Sequence, residues 1–169
     1  MGPSLPELAE LAYFMAPAYL ANMAPPFARF WPGWNRPIHS RLLGDHKTVV
    51  GFAMAMGVAF VAAFVQAMMA VPAAWKNPGD WPWLGLAFGL GTAGGDAFKS
   101  LIKRRLDRAP GAPWIPFDQL DFAVASLLLA APFVLLSARD VITILVMTFA
   151  GDLLVNRLSW WLGIKRTPW

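Results

Sequence analysis

Residues 94–105, GGDAFKSLIKRR, place Asp96, Lys99, Ser100 and Lys103 at i, i+3, i+4 and i+7, which is one stripe of a helix. A carboxylate, a hydroxyl and two ammonium groups on one face could meet a phosphate together with its cation. The same stripe also suits an ion pair on a helix leaving a membrane, with Lys103, Arg104 and Arg105 as charge at its end. A second string, WIPFDQLDF at 114–122, sets Asp118 and Asp121 three residues apart. If a helix begins near Pro116, both lie in its first turn, where free N–H groups and the macrodipole favour acids. One aspartate satisfies that need. Two close carboxylates repel unless something positive lies between them, so Asp96, Asp118 and Asp121 together make a candidate metal site. The chain has no cysteine and two histidines. Hard oxygen ligands without thiolate suit Mg²⁺, as one or two ions, which keeps several waters and binds substrate phosphates. The lack of cysteine also excludes iron–sulfur clusters, thiolate zinc sites, a cysteine nucleophile and a disulfide scaffold.

A third group is Gly44, Asp45, His46, Lys47 and Thr48, with Gly51 one turn on. Small, polar and basic residues leading into a helix N-terminus can cradle a phosphate, although neither a P-loop nor GxGxxG is present. A plain juxtamembrane loop fits too, and His39 and His46 read as loop residues. Asn22 is the strongly polar residue of the first apolar stretch, placed for helix packing or for substrate contact. Gln66 is expected to bond a neighbouring helix. Asp152 reads as structural, paired with Arg157 or with a lysine of another helix.

The elements that must position these groups are apolar. Of 169 residues, 57% are hydrophobic and 14% charged, against roughly 45–50% and about 25% in soluble domains. Residues 11–28, 48–75 and 122–138 carry no Asp, Glu, Lys or Arg, each near or above the roughly 17–25 residues needed to cross a bilayer. The shorter stretches 81–95 and 141–151 each run into an aspartate, Asp96 and Asp152. The expected fold is all-α: an integral membrane bundle of five transmembrane helices over 5–27, 48–73, 81–104, 117–137 and 139–163, forming one catalytic domain, 1–169. Glu7 and Glu10 argue against a signal peptide, whose n-region is basic.

Twelve of the 14 Lys and Arg fall into three places: 29–47, 99–108 and 157–166. Basic residues collect in cytoplasmic loops, so the N-terminus is expected outside and the C-terminus in the cytoplasm. The formal net charge of +4 then reflects topology, and nucleic acid is not an expected partner. Trp31, Trp34, Trp75, Trp81, Trp83, Trp114, Trp160 and Trp161 fall near span ends as an interfacial belt. The candidate groups gather towards the cytoplasmic half, and a carboxylate in a span costs about 2.5–3.5 kcal/mol on insertion scales, which makes it a functional candidate.

The run from Gly95 to Arg104, followed by a short proline loop and Asp118-Gln119-Leu120-Asp121, resembles the signature of CTP-dependent phosphatidate cytidylyltransferases. In that family a Gly-Asp is followed by a Ser, a Lys-Arg, a proline loop and an Asp-x-x-Asp. The family's Lys-Asp pair and Gly-His-Gly-Gly run are missing here, and the loop is shorter. Small size, Asn22-Met23-Ala24-Pro25 and the 44–48 motif resemble the archaeal branch, the CDP-archaeol synthases, more closely. The resemblance implies a multi-pass cell-membrane enzyme with its site at the cytoplasmic face. It implies transfer of CMP from CTP to the phosphate of an unsaturated ether lipid, 2,3-di-O-geranylgeranylglycerol 1-phosphate, with release of pyrophosphate. On matching positions, Asp96, Asp118 and Asp121 hold Mg²⁺, and Lys99, Lys103 and Arg104 offset triphosphate charge. Ser100 donates to a phosphate, Asp45, Lys47 and Thr48 approach CTP from the other loop, and Asn22 touches nucleotide or lipid phosphate. A polar cavity opening to the cytoplasm and sideways to lipid is expected, with no obligate protein partner.

Other classes remain for comparison. A CDP-alcohol phosphotransferase needs an Asp-Gly that this chain lacks. A small transporter or channel subunit would need polar residues through both halves of the membrane, whereas here they gather on one side. A structural subunit with merely paired acids would bind no nucleotide.

Overall fold

The computed structural model describes residues 3–30, 33, 35–45, 47–69, 74–108 and 112–163. Trp31, Trp34, His46, Lys165 and Arg166, together with 70–73 of the second expected span and 109–111 of the proline loop, lie outside them. The described chain contains α1 (Leu5–Met23), α2 (Ser40–Leu43), α3 (Val49–Met69), α4 (Trp81–Arg105), α5 (Phe117–Ala130) and α6 (Ala138–Trp161). Short 3₁₀ segments follow α1 (Pro25–Phe30), precede α4 (Pro78–Asp80) and follow α5 (Ala131–Phe133). Two isolated bridges, Pro37 with Thr48 and Trp75 with Val134, tie loops at the two ends.

Among the described residues, two helices, Val49–Met69 and Ala138–Trp161, are long and apolar enough to cross a membrane. Large apolar side chains stand fully in the open, such as Leu128, Leu135 and Leu154 at 70% exposure. A water-facing surface does not tolerate such a continuous apolar cover, and a lipid-facing one requires it.

Two helices are shorter than the expected spans. The first was expected over 5–27, yet α1 stops at Met23 because Pro25 and Pro26 lack the N–H groups that would continue the ladder. The fourth was expected over 117–137, yet α5 stops at Ala130 and turns through Ala131–Phe133, since Pro132 lacks the N–H that the next turn needs. Val134 then runs extended, and Leu135 N–H donates to the Ala74 carbonyl. The last helix begins at Ala138 because Ser137 and Asp140 form a reciprocal capping box, as Ser4 and Glu7 do for α1. Each box satisfies two N–H groups that the helix itself cannot.

The core is close-packed through small residues. Gly51, Ala55, Ala59 and Ala63 are buried every fourth position along α3. A Cβ on Gly85 or Gly89 of α4 would come within 3.0 or 2.9 Å of the Phe60 or Met56 Cα. On another face of α4, a Cβ on Gly91 would lie 2.4 Å from Ser126 Cα, and one on Gly95 2.5 Å from the Asp121 carbonyl oxygen. Glycines at i and i+4 let helix backbones touch, which is how apolar helices associate when burial from water is not the driving force. α4 therefore sits between α3 and α5, and this packing holds Asp96 and Asp121 next to each other.

Pro17, fully buried inside α1, takes an N–H away from the carbonyl of Tyr13 four residues earlier. Gln66 of α3 donates its amide to that carbonyl, so the expected interhelical bond of Gln66 repairs a proline defect. Tyr19 and Thr148 join α1 to α6 through hydroxyls 2.8 Å apart.

Candidate functional site

At one end of the bundle, six charged side chains from three segments form a single network. Lys99 of α4 is the hub. Its ammonium lies 3.2 Å from Asp96 Oδ1, 3.5 Å from Asp118 Oδ1 and 2.8 Å from Asp121 Oδ2. Its side chain is 15% exposed and that of Asp121 only 8%. Lys47, arriving from the loop before α3, pairs with Asp96 Oδ2. Lys103 sits 2.6 Å from Asp118 Oδ1 and 2.8 Å from its Oδ2.

Local structure explains why these groups meet. The three basic and acidic positions of α4 share a stripe, and the glycine seam brings the first turns of α5 against it. α4 ends where Asp107 takes a left-handed backbone (φ 51°), tolerable for aspartate. The N–H of Arg108 returns to the Lys103 carbonyl at 3.0 Å, closing the helix end. Lys103 Nζ also donates to the Ala112 carbonyl at 2.8 Å, and Asp118 Oδ2 accepts from the Trp114 N–H at 2.6 Å. Lys103 and Asp118 thus clamp the 112–116 loop to both helices, a role that spacing alone did not reveal. Trp114, expected as an interfacial anchor, packs on Phe117 at 4.5 Å with Arg108 over its ring at 5.2 Å.

The remaining candidates are placed less centrally. Ser100 Oγ donates to the Asp96 carbonyl at 2.8 Å, a bond within its own helix. Thr48 Oγ1 accepts from the Gly51 N–H at 3.1 Å and so caps α3. Lys47, Thr48, Gly51 and Asp96 line a small cavity of about 70 Å³ together with Pro25 and Ile38. Arg104 lies over Gly44, its Nη2 2.6 Å from where a Cβ would stand. Gly44, at φ 88°, needs glycine for its backbone as well as for that contact. Asp45 is exposed on the same loop. Asn22 is exposed near the end of α1 and is not among the residues lining the cavity beside Asp96. Asp152 Oδ2 accepts from the Asn156 amide of the same helix at 2.7 Å.

Among the described residues, no group of three His, Asp or Glu is arranged as an open metal centre; the Lys99 ammonium holds the middle. The donors nevertheless fit a hard cation. Three carboxylates converge on the Lys99 ammonium, and the buried Asp121 Oδ2 has Lys99 Nζ as its partner at 2.8 Å. Carboxylate oxygens are the hard donors that such a cation takes.

Beside the network, a groove of about 630 Å³ runs between α4 and α5. Its walls are Leu90, Gly91, Gly94, Phe98 and Ile102 on one side and Leu120, Val124, Leu128 and Leu129 on the other. Lys99 and Asp121 line one end, near Trp114, Pro116 and Phe117. The cavity that was expected to be polar is therefore apolar over most of its length, with charge at its end only. The reason is that α4 and α5 present apolar side chains away from their charged turns.

A family model described as CarS-like, CDP-archaeol synthase, matches residues 7–169. The chain is 31% identical over 172 residues to a CDP-archaeol synthase of Pyrococcus horikoshii, covering 96% of this chain and 98% of that one. It is 34% identical over 181 residues to the CDP-archaeol synthase of Halorubrum lacusprofundi, with 96% and 97% covered. A solved structure of an intramembrane enzyme for archaeal membrane lipids biosynthesis superposes with a TM-score of 0.74 at 27% identity, over 88% of this chain and 94% of that one. A match across nearly the whole length, in sequence and in fold, carries the conclusion that this chain belongs to the CarS-like family of CDP-archaeol synthases.

Proposed function

We propose that the chain transfers CMP from CTP to the phosphate of 2,3-di-O-geranylgeranylglycerol 1-phosphate, giving CDP-archaeol and pyrophosphate with the help of Mg²⁺. Family membership makes it a cytidylyltransferase of archaeal membrane-lipid biosynthesis. The observation that carries the finer reading is the convergence of Asp96, Asp118 and Asp121 on one buried lysine at the end of an apolar groove.

A phosphate oxygen of the lipid attacks the α-phosphorus of CTP. A new P–O–P link forms, the bond from the α-phosphorus to the bridging oxygen of the β-phosphate breaks, and pyrophosphate leaves. A phosphate monoester is already ionised near neutral pH, so no general base is needed, and the task is positioning and charge neutralisation. Asp96, Asp118 and Asp121 would hold Mg²⁺, which supplies Lewis-acid stabilisation to the phosphate oxygens. In the network as it stands, three carboxylates balance three ammoniums, leaving no surplus positive charge for a triphosphate. The nucleotide must therefore arrive with its own cation. Lys47, Lys99, Lys103 and Arg104 then face the phosphates, with Lys103 keeping the loop in place, while Asn22, Asp45, Thr48 and Ser100 border the nucleotide.

The same proposal includes the topology: a single transmembrane catalytic domain of five spans in the cell membrane, with the N-terminus outside and the site and C-terminus at the cytoplasmic face. The charge bias of the loops supports this orientation, because the network lies at the end where Lys47 and the 99–108 basic run collect. The membrane and the ether-lipid phosphate are then the partners, besides CTP.

The test is transfer by purified protein from CTP labelled at either the α- or the γ-phosphorus, with the ether-lipid phosphate and Mg²⁺. The α label should enter the organic phase while the γ label stays in water as pyrophosphate. Entry of γ label into lipid, or of neither, would sink the proposal.

A further inference from the structure

We infer that a cavity between α1 and α3, away from the charged network, binds a neutral lipid alcohol, and that Tyr13 and Gln66 hold its hydroxyl. The inference goes beyond cytidylyl transfer and does not depend on it.

The cavity has a volume of about 500 Å³ and is lined by α1 and α3 alone. Ala16 and Leu20 on one helix and Gly57, Val61 and Val65 on the other make its apolar walls. Leu20, Val61 and Val65 are exposed, so it opens sideways, where lipid stands. Tyr13 and Gln66 line the same space and meet at one end of it, where the Gln66 amide donates to the Tyr13 carbonyl. From Gln66 back to Gly57 is nine helical residues, about 14 Å of wall at 1.5 Å per residue. The polar end is remote from the reacting groups: Lys47, on Asp96, precedes the first turn of α3, whereas Gln66 stands in its last.

Two atoms at that end are unsatisfied. Gln66 is 5% exposed, and its Oε1 is buried without a hydrogen-bond partner, as is the Tyr13 hydroxyl oxygen. Unpaired buried polar atoms are few in native proteins, and each needs a physical reason. Gln66 Oε1 can only accept, whereas a tyrosine hydroxyl donates as well as accepts. A ligand hydroxyl answers both, donating to Gln66 and accepting from Tyr13. An ether oxygen only accepts and leaves Gln66 unpaired. An ammonium or a phosphate brings a charge to membrane depth, which is costly, and no charged side chain lines the cavity. A single water would satisfy the two atoms but leave the apolar length empty. An apolar chain with one terminal hydroxyl fills both parts.

The experiment places the protein in bilayer nanodiscs with geranylgeraniol, an isoprenoid alcohol, and reads the retained ligand by native mass spectrometry. Wild type should retain the alcohol and bind its methyl ether, which has lost the donor, about fivefold more weakly, the factor that one net hydrogen bond carries. Tyr13→Phe should weaken the alcohol by a similar factor; it keeps the backbone carbonyl that Gln66 bonds, so the contact of α1 with α3 stays. A Cβ on Gly57 meets nothing within 4 Å, and leucine is a better helix former than glycine. Gly57→Leu should therefore fill the cavity and abolish retention; it decides the matter if Tyr13→Phe does not fold. Cytidylyl transfer without the alcohol should be unchanged in both variants. No retention by wild type, equal retention of alcohol and methyl ether, or retention untouched by the variants would overturn the inference. So would displacement of the alcohol by the ether-lipid phosphate, which would make the cavity a seat for the acceptor. Should wild type retain the alcohol yet transfer nothing, the cytidylyl-transfer reading falls and this one stands.

Discussion

Replacing Lys99 by methionine keeps an unbranched side chain one atom shorter and removes the charge at the centre of the network. The consequence can be worked partner by partner. Asp96 keeps Lys47, and Asp118 keeps Lys103 and the Trp114 N–H. Asp121 loses the 2.8 Å contact and is only 8% exposed. Removing one partner of a buried pair costs about 3–5 kcal/mol because a charge is left uncompensated. With one stranded carboxylate out of three, the lower end, about 3 kcal/mol, applies. At about 2–4 °C per kcal/mol for a chain of this size, the variant should unfold about 6–12 °C below wild type in EDTA. A divalent cation at the vacated centre should then restore most of the loss, since a ligand at a hundred times its Kd contributes about 2.7 kcal/mol. Thermal unfolding in detergent, followed by tryptophan fluorescence with EDTA or with Mg²⁺, reads both effects. Mg²⁺ should raise the midpoint of Lys99→Met more than that of wild type, where the cation has to displace the ammonium. A variant as stable as wild type in EDTA, or one that Mg²⁺ does not rescue, would refute the reasoning.

Other consequences follow from the same geometry. Asp118→Asn removes a charge that holds Lys103 and the 112–116 loop, and should lower cytidylyl transfer by about a hundredfold or more, measured as kcat at saturating CTP. Gly91→Ala should cost about 1–3 kcal/mol through overpacking against the Ser126 backbone, seen as a lower unfolding midpoint and less monodisperse protein on size exclusion. Gln66→Leu should cost about 1–3 kcal/mol by leaving the Tyr13 carbonyl unpaired, but much less when Pro17→Ala supplies that carbonyl with its helical donor; a double-mutant cycle on unfolding midpoints checks the coupling.

The sequence carries the charged site further than it carries the packing. Asp96, Lys99 and Lys103 declare themselves through helical spacing, and Asp118 with Asp121 through mutual repulsion, which demands a positive neighbour. That neighbour is Lys99, as the structure places it, because α4 and α5 touch through Gly91 and Gly95. Glycine spacing in an apolar run could have signalled that contact, but a missing side chain leaves no chemical mark in a reading built on charge. The proline breaks at Pro25 and Pro132 lay in view, yet an apolar run reads as one span when hydropathy is weighed over local backbone chemistry. Lys47 joins Asp96 across 49 residues, a tertiary contact that no local pattern encodes. The Gln66 repair of the Pro17 defect is of the same kind: each residue is visible alone, and the bond between them depends on how α1 lies against α3.

The most direct measurement of the central claim is the transfer of α label from CTP to ether-lipid phosphate by Asp96→Asn and Asp121→Asn, each shown to be folded, beside wild type in Mg²⁺. If the carboxylates that meet at Lys99 form the reacting centre, wild type yields labelled CDP-lipid and both variants lose it. Transfer at wild-type rate by both folded variants would contradict the assignment and place the chemistry elsewhere in the bundle.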